Sequence, residues 1–341
     1  MTAPLFPVNR RALVKITAVV ITLFFVAILF TQISPGDIVK TLSQVNLLCL
    51  IAGFFLYTGC YFFRSIRFYY LLNREIPVQD LFPVVCLHNF INMVLPAKTG
   101  ELSYIYLINK HHGRTIGEGI ATLLIARIFD IISISALFLV SFAIIVHTLT
   151  VNTGFIYGVI LVLGLFIVLL FFFLNKSRSF LEALVKLCSF AGIEKTQPVN
   201  FVVIKGEETV AALETTRTTK EYSFITIFLL SSGVWGCLYA FTALMVIAMG
   251  IHAGISAIVF ACTFAFMTAI LPVQGIGNFG TFEAGWTVGF LSIGVPVELA
   301  VSTGFSYHII NVIFSGILGL VGIILLYSKT PGLTENPDNP G

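Results

Sequence analysis

The stretch LPVQGIGNFGTFEA, residues 271–284, decides how the rest of the chain is interpreted. Its glycines Gly275, Gly277 and Gly280 have the G-x-G-x-x-G spacing of a dinucleotide-binding turn. Such a turn needs a strand before it, a βαβ unit around it and an acidic residue further along. An apolar run precedes these glycines instead, and the chain has no βαβ pattern. We therefore interpret the glycines as places where the backbone turns, and we expect no nucleotide and no other cofactor.

The composition places the chain in a lipid bilayer. Of its 341 residues, 57% are hydrophobic and 10% are charged, whereas soluble domains carry about 25% charged residues. The net charge of +3 is too small to indicate a nucleic-acid partner. The six cysteines are scattered without a C-x-x-C pair, so we interpret them as packed apolar side chains rather than disulfides or metal ligands.

Apolar runs predict an all-α polytopic protein with one membrane domain over residues 1–341. Runs long enough to cross a bilayer fall at about 13–31, 46–63, 118–146, 153–174, 223–250 and 301–327. Two more apolar stretches, 81–95 and 257–293, are interrupted by proline and glycine. A polar connector, about 175–222, starts with the spacing of a helix on the membrane surface. The polar tail 330–341 is predicted to be disordered.

Basic residues indicate the orientation, because Lys and Arg in short loops stay on the cytoplasmic side. If 81–95 crossed the bilayer completely, the basic residues of 98–114 would lie outside. A re-entrant hairpin that enters from the cytoplasm and turns back keeps them inside. If 257–293 is also a hairpin, Lys40 is the only basic residue in an external loop. We therefore expect a cell-membrane protein with both termini in the cytoplasm.

The two interrupted stretches resemble each other. FINMVLPAKTGE (90–101) and FMTAILPVQGIGNFGTFE (266–283) both continue from an apolar run through Leu-Pro and glycine to one glutamate. Each stretch lies between two predicted spans, so about 46–146 and 223–327 would form an inverted-topology repeat, as in secondary transporters. Chance similarity of two Leu-Pro runs is the alternative. Irregular backbone at membrane depth lines a cavity, and its amide groups suit an anion.

Ionisable and turn residues within the membrane are candidates for function. The candidate substrate-binding residues are Arg64, Arg67, Asn92, Lys98, Glu101, Arg127, Asp130, Gly275, Gly277 and Glu283. Arginine suits bidentate contact with phosphate, so the set indicates a lipid with a phosphate-bearing headgroup. A structural role is the alternative for the Arg127–Asp130 pair, which can neutralise itself. His308, near Asn311 on the last span, is more typical of a packed histidine.

These residues resemble the lysylphosphatidylglycerol synthase transmembrane family, a flippase-like membrane domain. The resemblance covers about 10–327, and its motifs are the following: Arg64 and Arg67 with Leu71-Leu72; N-x-x-x-P-x-x-x-G-E from Asn92 to Glu101; R-x-x-D from Arg127 to Asp130; and Pro272, Gly275, Gly277 and Glu283. The resemblance implies translocation of a membrane phospholipid or another phosphate-bearing lipid. The chain ends soon after its last span, so we expect no aminoacyl-transferase domain.

Two other functions remain open beside a lipid translocase. One is a transferase acting on a lipid-linked substrate, although the four aspartates are far apart and supply no metal cluster. The other is a membrane-embedded accessory subunit that assists an enzyme. The sequence contains no G-x-x-x-x-G-K-[ST] loop, which argues against an ATP-driven pump. We find no catalytic motif and expect no enzymatic activity.

Overall fold

The computed structural model describes residues 26–95, 99–149, 176–190, 196–218, 223–268 and 276–328, with scattered positions at 23 and between 154 and 172. Every regular element in these ranges is a helix, so the all-α prediction is confirmed for them. The α-helices are α1 (Pro35–Gln44), α2 (Leu47–Leu71), α3 (Val78–Val94), α4 (Glu101–His112), α5 (Ile116–Ile145), α6 (Ser177–Phe190), α7 (Gln197–Thr218), α8 (Phe224–Ala248), α9 (Ile255–Thr268), α10 (Thr281–Ser292) and α11 (Val297–Ser328).

Four of the described helices are long and apolar enough to cross a bilayer. They are α2, α5 with the 3₁₀ turn Val146–Thr148, α8 and α11. These helices match four of the predicted spans, and they make the chain a multi-pass membrane protein. Helix α2 runs past the predicted end at 63 because Arg64 and Arg67 have polar partners within the protein. Most of the predicted span 13–31 and half of the positions of the predicted span 153–174 lie outside the described residues.

Polar residues determine where the apolar helices begin. At the start of α2, the Asn46 side chain accepts a hydrogen bond from the Cys49 N–H at 2.8 Å. At the start of α5, Thr115 and Glu118 form a capping box, in which Glu118 accepts from the Thr115 N–H at 2.9 Å. These caps satisfy N–H groups that have no partner in the first helical turn. The caps thus set the first residue of α2 and of α5, and with it the position along each helix of the polar residues further on.

The interrupted stretches belong to two pairs of packed short helices. The stretch 81–95, predicted to turn back on itself, is instead the single helix α3, which packs against the following α4, whereas 257–293 contains both α9 and α10. Where α4 begins, a Cβ added to Gly100 would lie 2.2 Å from the Cα of Asn92 in α3. In the second pair, a Cβ on Gly289 of α10 would lie 2.0 Å from the carbonyl oxygen of Ala261 in α9. Glycine allows both close approaches because it has no side chain. Re-entry of these pairs into the membrane from one side stays a prediction.

The turn before α10 requires glycine for a different reason. Gly277 has a φ of 61° and Gly280 a φ of 84°, a region in which L side chains are strained. We expect Gly277→Val to lower the free energy of unfolding by about 1–2 kcal/mol. The matched control is Gly254→Val, because a Cβ at Gly254 meets no atom within 4 Å. Equal melting temperatures for the two purified variants would show that this turn tolerates a branched side chain.

The two halves of the described membrane region contain the same elements in the same order: a long helix, a helix pair and a long helix. The first long helices, α2 and α8, pack antiparallel, with Gly53 facing Phe241 and Gly233 facing Phe63. Each helix pair packs on the last long helix of the other half, α3 on α11 and α9 on α5. Contacts in one half therefore have counterparts in the other, while the predicted repeat boundaries of about 46–146 and 223–327 stay predictions.

Helices α6 and α7 lie within the connector predicted at about 175–222. The apolar residues Phe180, Leu187 and Phe190 of α6 are exposed, as expected for a helix lying on a lipid surface. Helix α7 packs along α5, where Gly117 lies against Glu208. The connector thus contacts the membrane helix that provides Arg127 and Asp130. The tail 330–341 lies outside the described residues.

Candidate functional site

A cavity of about 370 Å³ lies between the two halves of the membrane region. Its wall combines apolar side chains with polar side chains from both halves. The first half contributes Tyr61, Arg64, Asn89, Asn92, Glu101, Arg127 and Asp130, and the second half contributes Trp235, Asn278, His308, Asn311 and Ser315. Polar groups that converge in a partly apolar cavity are typical of a small-molecule binding site.

Asp130 is the buried centre of a charged network. Its Oδ1 accepts a hydrogen bond from Arg67 Nη1 at 2.5 Å and another from Trp235 Nε1 at 3.0 Å. Its Oδ2 lies 3.5 Å from Arg127 Nη1. Arg67 also donates to Ser231 at 2.9 Å. Because Arg67 and Asp130 are only 2% and 3% exposed, the structure satisfies both charges almost entirely with protein groups.

Arg127 extends this network to the beginning of α4. Its Nη2 lies 3.0 Å from Glu101 Oε1. The side chains of Arg127 and Glu101 are 33% and 29% exposed, unlike the buried Arg67–Asp130 pair. Arg127 is therefore shared between two carboxylates, and one of these carboxylates lies at the first residue of the helix that follows the first interrupted stretch.

Arg64 faces the cavity without a carboxylate partner among the described residues. Its Nη1 donates to Oδ1 of Asn89, and Nδ2 of Asn89 donates to the Val85 carbonyl at 2.7 Å. No described Asp or Glu lies within 4.0 Å of the Arg64 guanidinium. Arg64, Arg67 and Arg127 together face two carboxylates, Asp130 and Glu101. The first-half network therefore has one positive charge in excess, and it lies at the cavity wall.

The second half provides a different pair. His308 Nδ1 lies 2.5 Å from Glu283 Oε1, and Glu283 Oε2 accepts a hydrogen bond from the Gly280 N–H at 2.7 Å. The His308 and Glu283 side chains are 1% and 0% exposed. Phe279 stacks on the His308 ring, with 4.3 Å between the ring centroids. The turn that carries the glycines thus holds Glu283 against the last helix.

Several buried polar atoms around the cavity have no hydrogen-bond partner among the described residues. They are Nε of Arg64, Oδ1 of Asn92, Nε of Arg127, Nε2 of His308 and Oδ1 of Asn311. Buried polar groups are nearly always hydrogen-bonded in proteins, to protein atoms or to ordered water. The cavity wall thus offers both donors and acceptors with which water or a polar ligand can form hydrogen bonds.

The structure brings together most of the residues predicted from the sequence. Arg64, Asn92, Glu101, Arg127 and Asp130 line the cavity, and Arg67 reaches it through Asp130. Glu283 contacts the lining residue His308, while Gly277 lies in the turn beside the lining residue Asn278. Lys98 and Gly275 lie outside the described residues. Sequence reasoning missed Trp235 and Ser315, because a tryptophan or serine in an apolar helix has no distinguishing pattern.

A protein-family comparison accounts for nearly the whole chain. The family model described as the lysylphosphatidylglycerol synthase TM region matches residues 15–319. The chain belongs to this family. The resemblance predicted from the arginine, R-x-x-D and glycine motifs is therefore confirmed, and membership in the lysylphosphatidylglycerol synthase family indicates a lipid-related function in the membrane.

A curated relative is similar over a shorter segment. The chain is 22% identical to glycosyltransferase AglD of Haloferax volcanii over 134 residues. These residues make up 38% of this chain and 21% of AglD. The matched segment thus spans about a fifth of the length of the relative. The name of AglD describes that protein as a glycosyltransferase. The match to the lysylphosphatidylglycerol synthase TM region covers most of this chain.

Proposed function

We propose that this protein moves a phosphate-bearing lipid between the two leaflets of the membrane, with the headgroup in the cavity. The observation that carries this proposal is Arg64, a cation at the cavity wall with no carboxylate partner among the described residues. A partly buried charge without a counterion is costly, whereas a phosphate oxygen would accept directly from the guanidinium. Asn89 keeps one side of that guanidinium in place.

The arrangement of the two halves supports an alternating-access mechanism. Arg127 lies eleven positions after Ile116, the first residue of α5, and His308 lies eleven positions after Val297, the first residue of α11. Each contacts a glutamate in the first turn of the preceding short helix, Glu101 or Glu283. Equivalent pairs at equivalent positions are expected if the halves form an inverted repeat whose helix pairs re-enter the membrane. The cavity between the pairs is then the site of translocation.

Glycosyl transfer or assistance to a lipid-modifying enzyme is the alternative, favoured by the similarity to AglD. The described residues contain no group of three or more His, Cys, Asp or Glu side chains that could hold a metal ion. A lipid phosphate would bind the same cavity in an accessory protein, so binding alone does not separate the two functions. Movement of lipid between leaflets by the purified protein distinguishes them.

Mass spectrometry of lipid retained by the purified protein tests the occupant of the cavity. We expect lipids with an anionic phosphate headgroup to be enriched over their abundance in the source membrane. The enrichment should disappear in Arg64→Gln and persist in Arg178→Gln, whose arginine is exposed on α6 and pairs with Glu214. Retention of the same lipids by Arg64→Gln would contradict this assignment of the headgroup site.

The proposed orientation has its own test in intact cells. Single cysteines near Lys110 and near Thr196, in a background without the six native cysteines, are expected to be shielded from an impermeant thiol reagent added outside. Both positions are exposed on the protein, so shielding would reflect the membrane rather than burial. A cysteine at Lys40 in the predicted external segment is the positive control. Labelling near Lys110 from outside would make 81–95 an ordinary span.

A further inference from the structure

The Glu283–His308 pair has a geometry suited to binding a proton. Glu283 Oε2 accepts the Gly280 N–H, and an ionised carboxylate is an acceptor at both oxygens. We assign Glu283 as ionised, which makes His308 Nδ1, 2.5 Å from Glu283 Oε1, the donor in that contact. The neutral imidazole consequently has its lone pair on Nε2. His308 lines the cavity, and Nε2 has no hydrogen-bond partner among the described residues.

The equivalent pair of the first half differs in chemistry. Arg127 retains its proton at all pH values relevant to proteins, so its contact with Glu101 carries a fixed charge. Histidine gains and loses a proton near neutral pH. The two halves therefore have pairs at equivalent positions, of which the first is permanently charged and the second is titratable. The titratable pair is also the one that is almost completely buried.

The charges around the cavity connect the binding of a proton at His308 with the binding of an anionic headgroup. With His308 neutral and Glu283 ionised, the three arginines of the first-half network are balanced by Asp130, Glu101 and Glu283, and this described set has no net charge. A phosphodiester headgroup adds one negative charge, and a proton on His308 adds one positive charge. Opposite charges in one cavity of low dielectric each favour the binding of the other. Headgroup and proton therefore restore neutrality together.

Other ionisable groups surround the pair on the helices that pack against it. Arg64, Glu101, Arg127 and Asp130 share the cavity wall with His308. Asp37 and Lys40 of α1 are exposed. The buried groups include His88 of α3, which hydrogen bonds to Ser103, and the side chains of Tyr57, Cys60, Tyr61, Tyr239, Cys262 and Tyr307. Among these described groups, His308 is the histidine in the cavity wall, so we assign a proton taken up there to it.

We infer that Glu283 and His308 form a proton-binding site, and that a proton bound at His308 Nε2 accompanies the phosphate-bearing headgroup through the cavity. This inference rests on the proposed translocation of a phosphate-bearing lipid. The proton comes from water in the cavity and remains on Nε2 while Nδ1–H donates to the Glu283 carboxylate. It leaves when the headgroup leaves, because the described charges around the cavity are then balanced with His308 neutral.

Nuclear magnetic resonance of protein labelled with ¹⁵N-histidine tests the proton site without any transport assay. We expect one resonance, absent in His308→Gln, to change from the neutral to the doubly protonated form between about pH 5 and 8. Glu283→Gln should shift that transition. The control is His88→Gln, which removes a buried histidine outside the cavity lining. If His308→Gln fails to fold, removing the other five histidines in turn assigns the resonance. A His308 resonance that keeps one form across this range overturns the proton site.

Liposomes containing the protein and fluorescent phosphatidylglycerol test the coupling. An imposed pH gradient is expected to change the rate of lipid movement by at least about fivefold in wild type and His88→Gln, and not in His308→Gln. If the pH gradient does not change the rate of lipid movement in wild type, the coupling is overturned and the proposed function stays intact. If wild type moves no phosphatidylglycerol while His308 still titrates, the proposed function fails, and the coupling fails with it, but the proton site stands.

Discussion

Asp130→Ala is expected to lower the free energy of unfolding by about 3–5 kcal/mol, the range measured when one partner of a buried ion pair is removed. The substitution leaves the Arg67 guanidinium, only 2% exposed, without its carboxylate. It also removes the acceptor for Trp235 Nε1. Asp130→Asn retains an oxygen for Trp235 but no countercharge for Arg67, so its effect should be smaller. Thermal unfolding in detergent measures both variants.

Two further variants show whether burial causes this loss. The double variant Arg67→Met with Asp130→Leu removes both charges, and we expect it to recover most of the stability lost in Asp130→Ala. Glu75→Ala breaks the contact with Arg114 at a glutamate that is 49% exposed, and an exposed pair contributes at most about 1 kcal/mol. If Asp130→Ala proves no more damaging than Glu75→Ala, the buried network does not stabilise the membrane core.

Arg64→Gln is expected to weaken binding of anionic phospholipid by about 10- to 100-fold, since a hydrogen bond to a charged group contributes about 1.5–3 kcal/mol. Arg64→Lys should recover only part of the affinity, because lysine keeps the charge but lacks the planar guanidinium that contacts phosphate through two N–H groups. Neither substitution should lower the melting temperature substantially, because no described carboxylate would lose its ion-pair partner when Arg64 is replaced. Binding of a short-chain phosphatidylglycerol to purified protein measures the effect.

The comparison that isolates Arg64 is with Arg178→Gln, a substitution of an exposed arginine that pairs with Glu214 on the connector. This variant removes the same charge from the protein without altering the cavity. We expect it to bind the lipid like the wild type. An equal loss of affinity in Arg64→Gln and Arg178→Gln would mean that overall charge, rather than a headgroup site, attracts the lipid.

The sequence predicts the membrane helices better than the contacts between them. Apolar length is a local property, so four predicted spans correspond to α2, α5, α8 and α11. The end of α2 was predicted too early because Arg64 and Arg67 interrupt the apolar run, while the helix continues to Leu71. Sequence alone does not show that these arginines have polar partners on other helices.

The partners of the charged residues were also hard to predict. Spacing along one helix suggests that Arg127 pairs with Asp130, and these residues do approach to 3.5 Å. The shorter contact of Asp130 is with Arg67, 63 positions away on α2, and Arg127 is closer to Glu101. Such contacts depend on how helices pack, which one sequence does not encode in a visible pattern. The Glu283–His308 contact, across 25 positions, belongs to the same class.

The most direct test of lipid translocation uses purified protein in liposomes that contain phosphatidylglycerol with a fluorophore on one acyl chain. An impermeant reductant added outside destroys the fluorescence of the outer leaflet and leaves the inner leaflet protected in vesicles without protein. The proposed function predicts that wild-type protein removes this protection and that Arg64→Gln, inserted in equal amount, largely preserves it. Protection in wild-type vesicles equal to that in protein-free vesicles would contradict translocation of this lipid.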